Sequence, residues 1–238
     1  MNPLISIIIP TVNEEQTLPR TLAPLKFCGQ CEVLVVDGGS NDGTLAIANT
    51  YGCRTISGPR GRARQMNRGV EESTGDVLLF LHADTLLPGN FFTQITRTLK
   101  ISDVAAGAFS LSFDSRQRSL AIISWGANLR SRLFSLPYGD QGLFTSRKNF
   151  SAVGGFPEME IMEDFVFIRK MRRFGRVITL QDQVITSARR WENIGVLKTT
   201  FINQLIIAGY RLGIPPATLA RYYQRAQGVL KKKDTIIS

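Results

Sequence analysis

The sequence predicts an α/β protein with a mostly parallel central sheet, flanked by helices and followed by a helical extension. Two observations support this prediction. Runs of β-branched and aliphatic residues at positions 5–9 and 32–36 have the composition of strands buried on both faces, as strands of parallel sheets are. Helical segments separate such runs along the first half of the chain, which is the pattern of βαβ units.

The first half of the chain alternates strands and helices. Strands are predicted at residues 5–9, 32–36, 54–57 and 76–81 because these runs are short and apolar. Helices are predicted at residues 13–25, 44–50 and 62–72. The glycines and short polar residues at 37–43 predict a turn between the second strand and the helix after it.

The second half is more mixed. Strands are predicted at residues 107–113 and 141–145, the first of them half-exposed because apolar and polar residues alternate along it. Helices are predicted at residues 119–134, 164–174 and 193–212, and a last one after Pro215 and Pro216. We therefore divide the chain into an α/β domain at residues 1–190 and a basic amphipathic helical extension at residues 191–238.

The helix at 193–212 carries an apolar stripe, which is expected either to pack on the α/β domain or to lie on a membrane surface. The stripe consists of Ile194, Leu197, Phe201, Leu205, Ala208 and Leu212. Beside and beyond it are Lys198, Arg211, Arg221, Arg225 and the lysine run 231–233. Each basic residue near an anionic surface favours binding by about 1 kcal/mol. Peripheral association with an anionic membrane is therefore one expectation for the extension.

The composition of the 238 residues, 43% hydrophobic and 20% charged, provides a hydrophobic core and excludes intrinsic disorder and low-complexity scaffolds. The formal net charge is +10, and residues 189–238 contain nine basic and two acidic residues. Such a segment binds nucleic acid or an anionic membrane, or forms a solvated helix face.

Two further classes are disfavoured. No segment reaches the roughly 20 apolar residues of a membrane-spanning helix, and no basic leader precedes residues 4–9. A cytoplasmic location is therefore expected, with peripheral contact at the inner face of the membrane. The Cys28-x-x-Cys31 pair has the spacing of half a zinc site, but no second pair follows and His82 is the only histidine. These cysteines are expected to be reduced.

Polar side chains follow three of the predicted strands. Asn13, Glu14 and Glu15 follow the first strand, Asp37 and Asp42 the second, and Asp84 the fourth. Each of them alone is also explained as a helix cap or a turn residue. Ligands of open parallel sheets bind at the carboxyl ends of the strands, so three strand ends of this kind favour a binding site.

The chemistry of these residues suits a phosphorylated ligand. Asp84 and a divalent cation could neutralise a diphosphate, and Arg62 and Arg64, near the loop that enters the third helix, could contact phosphate. Glu163 and Asp164 follow a glycine-rich loop, where a carboxylate could accept a proton from a hydroxyl nucleophile. Carboxylates in a first helical turn are also stabilised by the helix dipole, and spacing alone leaves both interpretations open.

Several segments together resemble glycosyltransferase family 2. These are SIIIPTVNEE at 6–15, VVDGGSNDGT at 35–44, NRG at 67–69, GD at 75–76, LFLHAD at 79–84 and ED at 163–164 with the segment 169–175. The resemblance covers about the first 180 residues and is specific in the order and spacing of its motifs. It implies a GT-A fold, a nucleotide-sugar donor, a divalent cation (Mg²⁺ or Mn²⁺) and inversion at the anomeric carbon.

The resemblance also implies roles for individual residues. Asp37 would contact the base, as expected for uracil, Asp84 the metal or diphosphate, and Asp164 of the Glu163–Asp164 pair would be the general base. The other residues expected to bind the nucleotide sugar are Pro10, Thr11, Asn13, Glu14, Glu15, Gly38, Arg62 and Arg64. His82 stands where the family usually has the first aspartate of an Asp-x-Asp signature, so it is a candidate ligand for Mn²⁺. A lone histidine at the end of a strand is more often a structural hydrogen-bonding residue.

The acceptor side is implied by weaker similarities. The segments YGDQG at 138–142 and SARRW at 187–191 resemble a small bacterial subgroup of the family that is associated with arsenosugar biosynthesis. Asp140, Gln141, Arg190 and Trp191 are therefore candidates for the acceptor pocket, although Asp140 and Gln141 would equally cap a turn. The acceptor is expected to be a hydroxyl compound, either a small molecule or a lipid.

Two other functions were weighed against this one. A nucleotidyltransferase on a related sheet is expected to have a glycine-rich loop with Arg and Lys after the first strand, whereas residues 10–15 supply acids. A non-catalytic nucleic-acid binder would use the basic extension with exposed aromatic residues. Tyr210, Tyr222 and Tyr223 are present there, but their helical spacing favours packing, so no nucleic-acid partner is expected.

Overall fold

A computed structural model describes the backbone of residues 4–231 and the side chains of residues 4–226. Its centre is an eight-stranded sheet in the order β3-β2-β1-β4-β7-β6-β8-β5. The strands are β1 (Ile5–Thr11), β2 (Cys31–Asp37), β3 (Arg54–Ser57), β4 (Val77–Phe80), β5 (Thr85–Leu86), β6 (Val104–Phe113), β7 (Leu143–Ser146) and β8 (Arg176–Thr186).

Helices cover both faces of this sheet and form the C-terminal extension. They are α1 (Leu18–Leu22), α2 (Thr44–Thr50), α3 (Arg62–Glu72), α4 (Phe91–Leu99), α5 (Arg118–Phe134), α6 (Arg147–Ala152), α7 (Glu163–Phe174), α8 (Arg189–Ile194), α9 (Val196–Arg211) and α10 (Pro216–Lys231). Short 3₁₀ turns follow α1 at Ala23–Phe27 and precede β7 at Gly139–Gln141. None of the helices in the described range is both long enough and apolar enough to cross a bilayer.

The predicted α/β class with a mostly parallel sheet is confirmed. Strands β3, β2, β1 and β4 are parallel, and in β1 the side chains of Ile5, Ile7, Ile8 and Ile9 are completely buried. The chain builds β2 and β3 on one side of β1 and then returns to place β4 on the other side. This reversal of strand order creates a crevice at the carboxyl ends of β1 and β4, which is where ligands bind in such sheets.

The other half of the sheet is mixed. Strand β7 is antiparallel to both β4 and β6, β6 and β8 are parallel, and the short β5 is antiparallel to β8. Phe113 at the end of β6 lies opposite Thr186 at the end of β8, and Thr85 of β5 also pairs with Thr186. These strand ends therefore reach the same edge as Asp84.

Three predictions for this half need correction. Strand β6 is buried along residues 104–111, not half-exposed, because α4, α5 and α7 all pack against it and its polar Ser110 donates a hydrogen bond to the Leu180 carbonyl. Strand β8 and helix α4 were not predicted. The helix predicted at 193–212 is two helices, since Gly195 adopts a φ of +89° and ends α8.

The extension packs on the α/β domain, but with a different face from the predicted one. Ile206 and Leu219 are buried against Met162 and Phe165 beside the start of α7. The predicted apolar stripe faces away, and four of its members are exposed: Leu197, Phe201, Leu205 and Leu212. The small residues Thr199 and Gly209 are buried, and Gly209 lies against α10, where a β-carbon would come within 2.8 Å of Leu219. The side chains of the lysine run 231–233 lie outside the described residues.

The expectation of reduced cysteines is wrong for one pair. Cys28 and Cys31 form a disulfide, because the turn between the first 3₁₀ segment and β2 brings their Cα atoms to 5.4 Å. Cys53 is a free thiol, and burial raises its pKa to about 11.

Candidate active site

The loops after β1 and β2 are joined to each other at the crevice. The backbone N–H of Asn13 donates to Ser40 Oγ at 2.9 Å, and the N–H of Asn41 donates to Asn13 Oδ1 at the same distance. Glu15 Oε2 accepts from the Gly43 N–H at 2.8 Å, and the Glu14 N–H donates to Thr44 Oγ1. Asn13, which takes a φ of +56°, and Glu15 therefore fix the shape of the crevice wall.

Asp37 is buried at the end of β2 and organises the same wall. Its Oδ2 accepts from the N–H groups of Gly39 and Ser40, and its Oδ1 accepts from Thr11 Oγ1 at 3.3 Å and from the Ser40 hydroxyl. Thr11 is itself buried, and Pro10 precedes it in β1. The predicted nucleotide-binding residues of β1 and β2 thus lie together at one strand edge.

Gln65 of α3 completes this wall, and no sequence motif pointed to it. Its Nε2 donates to the carbonyls of Thr11 and Val36 at 2.9 and 2.8 Å, so a buried side chain replaces sheet hydrogen bonds at the crevice. Gly38 lies against it: a β-carbon at position 38 would come within 2.9 Å of Val12 and 3.0 Å of Gln65. Only glycine fits there.

A cleft of about 240 Å³ runs from this edge toward the extension. Its lining combines β-strand ends with α7, α8 and α9. Predicted site residues in the lining are Arg62, His82, Asp84, Asp140, Glu163, Asp164, Arg190 and Trp191. A second depression of about 330 Å³ adjoins it, bounded by Val12, Gly61, Arg62 and Gln65 on one side and by α10 on the other.

Asp84 and Glu14 share a single cation, Arg189. Its Nη2 lies 2.6 Å from Glu14 Oε2 and 3.8 Å from Asp84 Oδ2. Arg189 was not predicted, although it stands directly before the predicted Arg190 and Trp191. The position of Asp84 is fixed by its backbone, since its carbonyl accepts from the Ser187 N–H at 3.1 Å. The end of β4 and the start of α8 are therefore coupled through both backbone and charge.

Asp164 lies in the first turn of α7 with its carboxylate held by backbone groups. Oδ1 accepts from the Phe165 N–H and Oδ2 from the Gly139 N–H, both at 2.7 Å. Gly139 separates Asp164 from His82: a β-carbon there would lie 3.2 Å from Asp164 Oδ2 and 3.3 Å from His82 Nε2. Burial and the nearby charge of Arg62 lower the pKa of His82 to about 3, so its imidazole is neutral at pH 7.

The other carboxylates at this end of the cleft have raised pKa values. Burial, and then the charge of Asp164, raise the pKa of Glu163, whose Oε1 lies 4.0 Å from Arg62 Nη1. Burial also raises the pKa of Asp140 to about 6, although the guanidinium of Arg130 opposes this shift. Pairs of carboxylates with different environments are a common feature of sites that transfer protons.

Gln141 and Arg64 lie neither in the cleft lining nor on the crevice wall formed by the β1 and β2 loops. Gln141 is completely buried, and its Nε2 donates to the Phe109 carbonyl while its Oε1 accepts from the Tyr138 N–H. It holds the 138–142 turn in place and does not face an acceptor, which is the alternative role that the sequence left open. Arg64 points to solvent and pairs with the exposed Glu158 at 3.2 Å.

The predicted acceptor residues Arg190 and Trp191 lie at the end of the cleft that α8 and α9 form. Trp191 packs edge-on against Phe113, with ring centroids 5.6 Å apart. Arg190 lies over the ring of Tyr223 and donates to Asn203 Oδ1 at 3.1 Å, while its Nε is buried with no partner among the described residues. A polar ligand entering here would find an unused N–H donor.

The donor groups at the cleft determine whether a metal ion fits there. Among the side chains described, those of residues 4–226, no three His, Cys, Asp or Glu residues are grouped closely enough to hold an ion by themselves. Asp84 is the carboxylate that both follows a strand end and lines the cleft, and its side chain is 22% exposed. Mg²⁺ and Mn²⁺ are commonly held by one or two carboxylates together with phosphate oxygens, so the residues present fit a cation that binds with a diphosphate.

Comparison with known proteins identifies the family. The family model described as "Glycosyl transferase family 2" matches residues 6–150, which is more than half of the chain. The chain belongs to glycosyl transferase family 2. This glycosyltransferase is 30% identical over 218 residues to a "PGL/p-HBAD biosynthesis glycosyltransferase" of Mycobacterium tuberculosis, with 85% of this chain and 82% of the relative covered. The predicted enzyme class is thereby confirmed over the nucleotidyltransferase alternative.

Solved structures with a similar fold are glycosyltransferases as well. The mannosyltransferase PcManGT from Pyrobaculum calidifontis, in complex with GDP-Man and Mn²⁺, superposes with a TM-score of 0.67 at 18% identity, covering 100% of this chain and 76% of that one. Glucosyl-3-phosphoglycerate synthase from Mycobacterium tuberculosis, in complex with Mn²⁺, UDP-glucose and phosphoglyceric acid, gives 0.57 at 18% identity, covering 76% and 70%. The predicted GT-A fold is confirmed. The narrower resemblance to the arsenosugar-associated subgroup stays a prediction.

Proposed function

We propose that this glycosyltransferase transfers a sugar with inversion from a nucleotide-diphosphate sugar, with a UDP-sugar favoured, to a hydroxyl acceptor, assisted by Mg²⁺ or Mn²⁺. One observation supports this most directly. Asp84 and Asp164 line one cleft in opposite surroundings, since Asp84 faces the cation Arg189 whereas Asp164 receives two backbone N–H groups. A leaving-group site and a proton-accepting site are thus available side by side.

In this proposal Asp164 is the general base. Its carboxylate accepts the proton of the acceptor hydroxyl as that oxygen attacks the anomeric carbon, and the diphosphate leaves from the opposite face of the sugar. Attack and departure on opposite faces invert the configuration. Glu163 is the alternative base, but its buried carboxyl group has a raised pKa and lies against Arg62, which leaves it less available.

A divalent cation, when bound, neutralises the charge that develops on the diphosphate. Asp84 would hold it together with the diphosphate oxygens, and the neutral imidazole of His82 is a second candidate ligand. Arg189 would then either contact the diphosphate or keep its ion pair with Glu14. Arg62, with 59% of its side chain exposed, can reach the same anion, whereas Arg64 is engaged with Glu158.

The nucleotide would lie along the crevice formed by Pro10, Thr11, Asp37 and Gly38, with Asn13, Glu14 and Glu15 shaping the wall. Similar folds bind UDP-glucose, UDP-GlcNAc and GDP-mannose, so the fold alone does not select the base. Uracil is favoured through the family resemblance alone, in which the residue at the position of Asp37 contacts the base. The acceptor would enter beside Asp140, Arg190 and Trp191.

The test compares Asp84→Asn with Asp164→Asn, using Glu158→Gln, an exposed carboxylate of the same loop, as the matched control. Donor binding is followed as the thermal shift produced by UDP-sugars with and without Mn²⁺, and turnover as the release of UDP. Asp84→Asn is expected to lose the Mn²⁺-dependent part of donor binding. Asp164→Asn is expected to keep donor binding and to lose turnover by on the order of 10²–10⁴.

Two outcomes would contradict the proposal. Normal turnover by a folded Asp164→Asn protein would transfer the role of base to Glu163 or remove it from this loop. If donor binding depended on Mn²⁺ equally in the wild type and in Asp84→Asn, Asp84 would not be the ligand of the cation. A preference for GDP- or dTDP-sugars would overturn only the assignment of uracil as the base. The rest of the proposal would stand.

A further inference from the structure

Helix α5 presents a continuous apolar stripe to solvent. Trp125 is 66% exposed, and its neighbours on the same face of the helix are exposed as well. The stripe consists of Ile122, Trp125, Leu129 and Leu133, and Phe134 beside it is exposed as well. The spacing of three to four residues within the stripe is that of one helical face, and Arg118 lies on the same face near its start. Exposed large side chains of this number on one helix mark an interaction surface.

Helix α9 has a second such stripe, formed by Leu197, Phe201, Leu205 and Leu212, with Leu197 exposed to 87%. The helix is already anchored on its other face, where Ile206 and Tyr210 pack in the cluster around Phe165. The outward stripe is therefore not needed to hold α9 on the domain.

Helix α9 lines the proposed acceptor end of the cleft with Asn203 and Ile206, and the residues that flank α5, Phe113 and Tyr138, line it as well. Before α5 begins, Phe113 packs on Trp191 and Ser115 Oγ donates to Glu192 Oε1 at 3.0 Å. Toward its end, Arg130 lies 3.5 Å from the centroid of the Tyr138 ring, which belongs to the same cluster as Tyr210 of α9. The two stripes are thus carried by the elements that frame one opening.

The charge of these segments is entirely basic. Residues 115–139 and 193–233 contain 11 of the 29 lysines and arginines and none of the 19 aspartates and glutamates. The remaining 18 basic and 19 acidic residues nearly cancel, so the net charge of +10 is concentrated in the two segments that carry the stripes. Apolar side chains among uncompensated basic residues match an anionic bilayer surface, which accepts both.

We propose that α5 and α9 together dock on an anionic lipid bilayer and turn the acceptor end of the cleft toward it, so that the acceptor is a membrane-embedded lipid hydroxyl compound. The choice of acceptor rests on the proposed function, whereas the docking does not. A nucleotide-sugar donor is water-soluble and would enter the crevice from the other end, near Val12 and Gly61. In this arrangement the donor would arrive from water and the acceptor from the bilayer.

The experiment measures sedimentation of the full chain with phosphatidylcholine vesicles that contain or lack phosphatidylglycerol. The variants are Trp125→Ser/Leu133→Ser on α5 and Phe201→Ser/Leu205→Ser on α9. The control is Phe27→Ser/Phe174→Ser, which removes two exposed phenylalanines outside both stripes. Binding to anionic vesicles is expected, with a loss of about tenfold or more in each stripe variant, since every buried methylene and nearby charge contributes. The control is expected to bind as the wild type does.

Trp125 gives an independent readout of insertion. In a Trp191→Phe background its fluorescence is expected to shift to the blue with anionic vesicles, and UDP-dependent thermal shifts of the stripe variants are expected to equal those of the wild type. Absence of vesicle binding, equal loss in the control, or a dimer that the stripe variants abolish would overturn the docking proposal. Vesicle binding without any nucleotide-sugar binding would instead leave docking intact and overturn the proposed function.

Discussion

The backbone N–H of Gly139 donates a 2.7 Å hydrogen bond to Oδ2 of Asp164. Gly139 belongs to the turn that precedes β7, and Asp164 to the first turn of α7, so two remote segments meet at the proposed base. The space between Asp164 and His82 is filled by the α-carbon of Gly139, and a β-carbon there would press on both side chains. The orientation of the base is therefore set by a residue with no side chain of its own.

Gly139→Ala is expected to lower UDP release by roughly tenfold while leaving donor affinity unchanged, because small displacements of a catalytic group are costly. The measurement is turnover together with the donor Kd. Gly126→Ala, in open space on α5, is the control and is expected to match the wild type. Unchanged turnover in Gly139→Ala would mean that Asp164 tolerates this displacement or is not the base.

Asp140 predicts a pH dependence of stability. Its folded-state pKa of about 6, raised mainly by burial, lies above the value of about 3.9 for an unfolded aspartate, so its carboxyl group favours unfolding increasingly as the pH rises through this interval. Asp140→Asn is expected to stabilise the protein by about 1–2 kcal/mol at pH 7.5 and by little at pH 4. Urea unfolding at both pH values tests this, and an equal effect at both would contradict it.

The guanidinium of Arg189 supplies a positive charge beside Asp84. Arg189→Gln leaves Glu14 and Asp84 without this positive charge, so Mn²⁺ alone is expected to bind more tightly, while a UDP-sugar is expected to bind about tenfold more weakly. Calorimetry of the two ligands separately measures both effects. Arg176→Gln, which breaks an exposed pair with Asp103, is the control. Parallel weakening of both ligands would point to a damaged fold.

Gly107 in β6 predicts a stability effect far from the site. A β-carbon there would lie 2.2 Å from Cζ of Phe144 on the neighbouring strand, so Gly107→Ala is expected to cost about 1–3 kcal/mol or more in the free energy of unfolding. Phe144→Leu is expected to reduce that cost when combined with it, which a double-mutant cycle measures. Gly89→Ala, with nothing near its β-carbon, serves as the control.

The parts of the fold that sequence patterns predict are those fixed by local signals. Helices α2 and α3 and strand β3 begin and end at the predicted residues, because turns and apolar periodicity define them within a few positions. Strand β8 was not predicted, since its sequence is interrupted by Gln181, Asp182 and Gln183 and its place depends on pairing with β6, some 70 residues away.

The same distinction applies to the site. The residues after β1, β2 and β4 were predictable from strand ends, whereas Arg189, Gln65 and Gly139 act through partners that are remote in sequence. The apolar stripe of α9 was recognised from its periodicity, but periodicity does not tell which apolar face meets the domain. The buried face is the one that carries Thr199, Ile206 and Gly209, and it has fewer large apolar residues than the exposed stripe.

The packing of the extension on the segment that carries the proposed base has a consequence for how the enzyme is synthesised. Met162 and Phe165 are covered by Ile206 and Leu219, which leave the ribosome only after α8 and much of α9 have been synthesised. At roughly 5–20 residues per second, the start of α7 waits for several seconds with its apolar side chains uncovered. The crevice that is proposed to bind the donor can form during that interval, but the surroundings of Asp164 cannot. A nascent chain would therefore gain its capacity to hold a nucleotide before its capacity to use one.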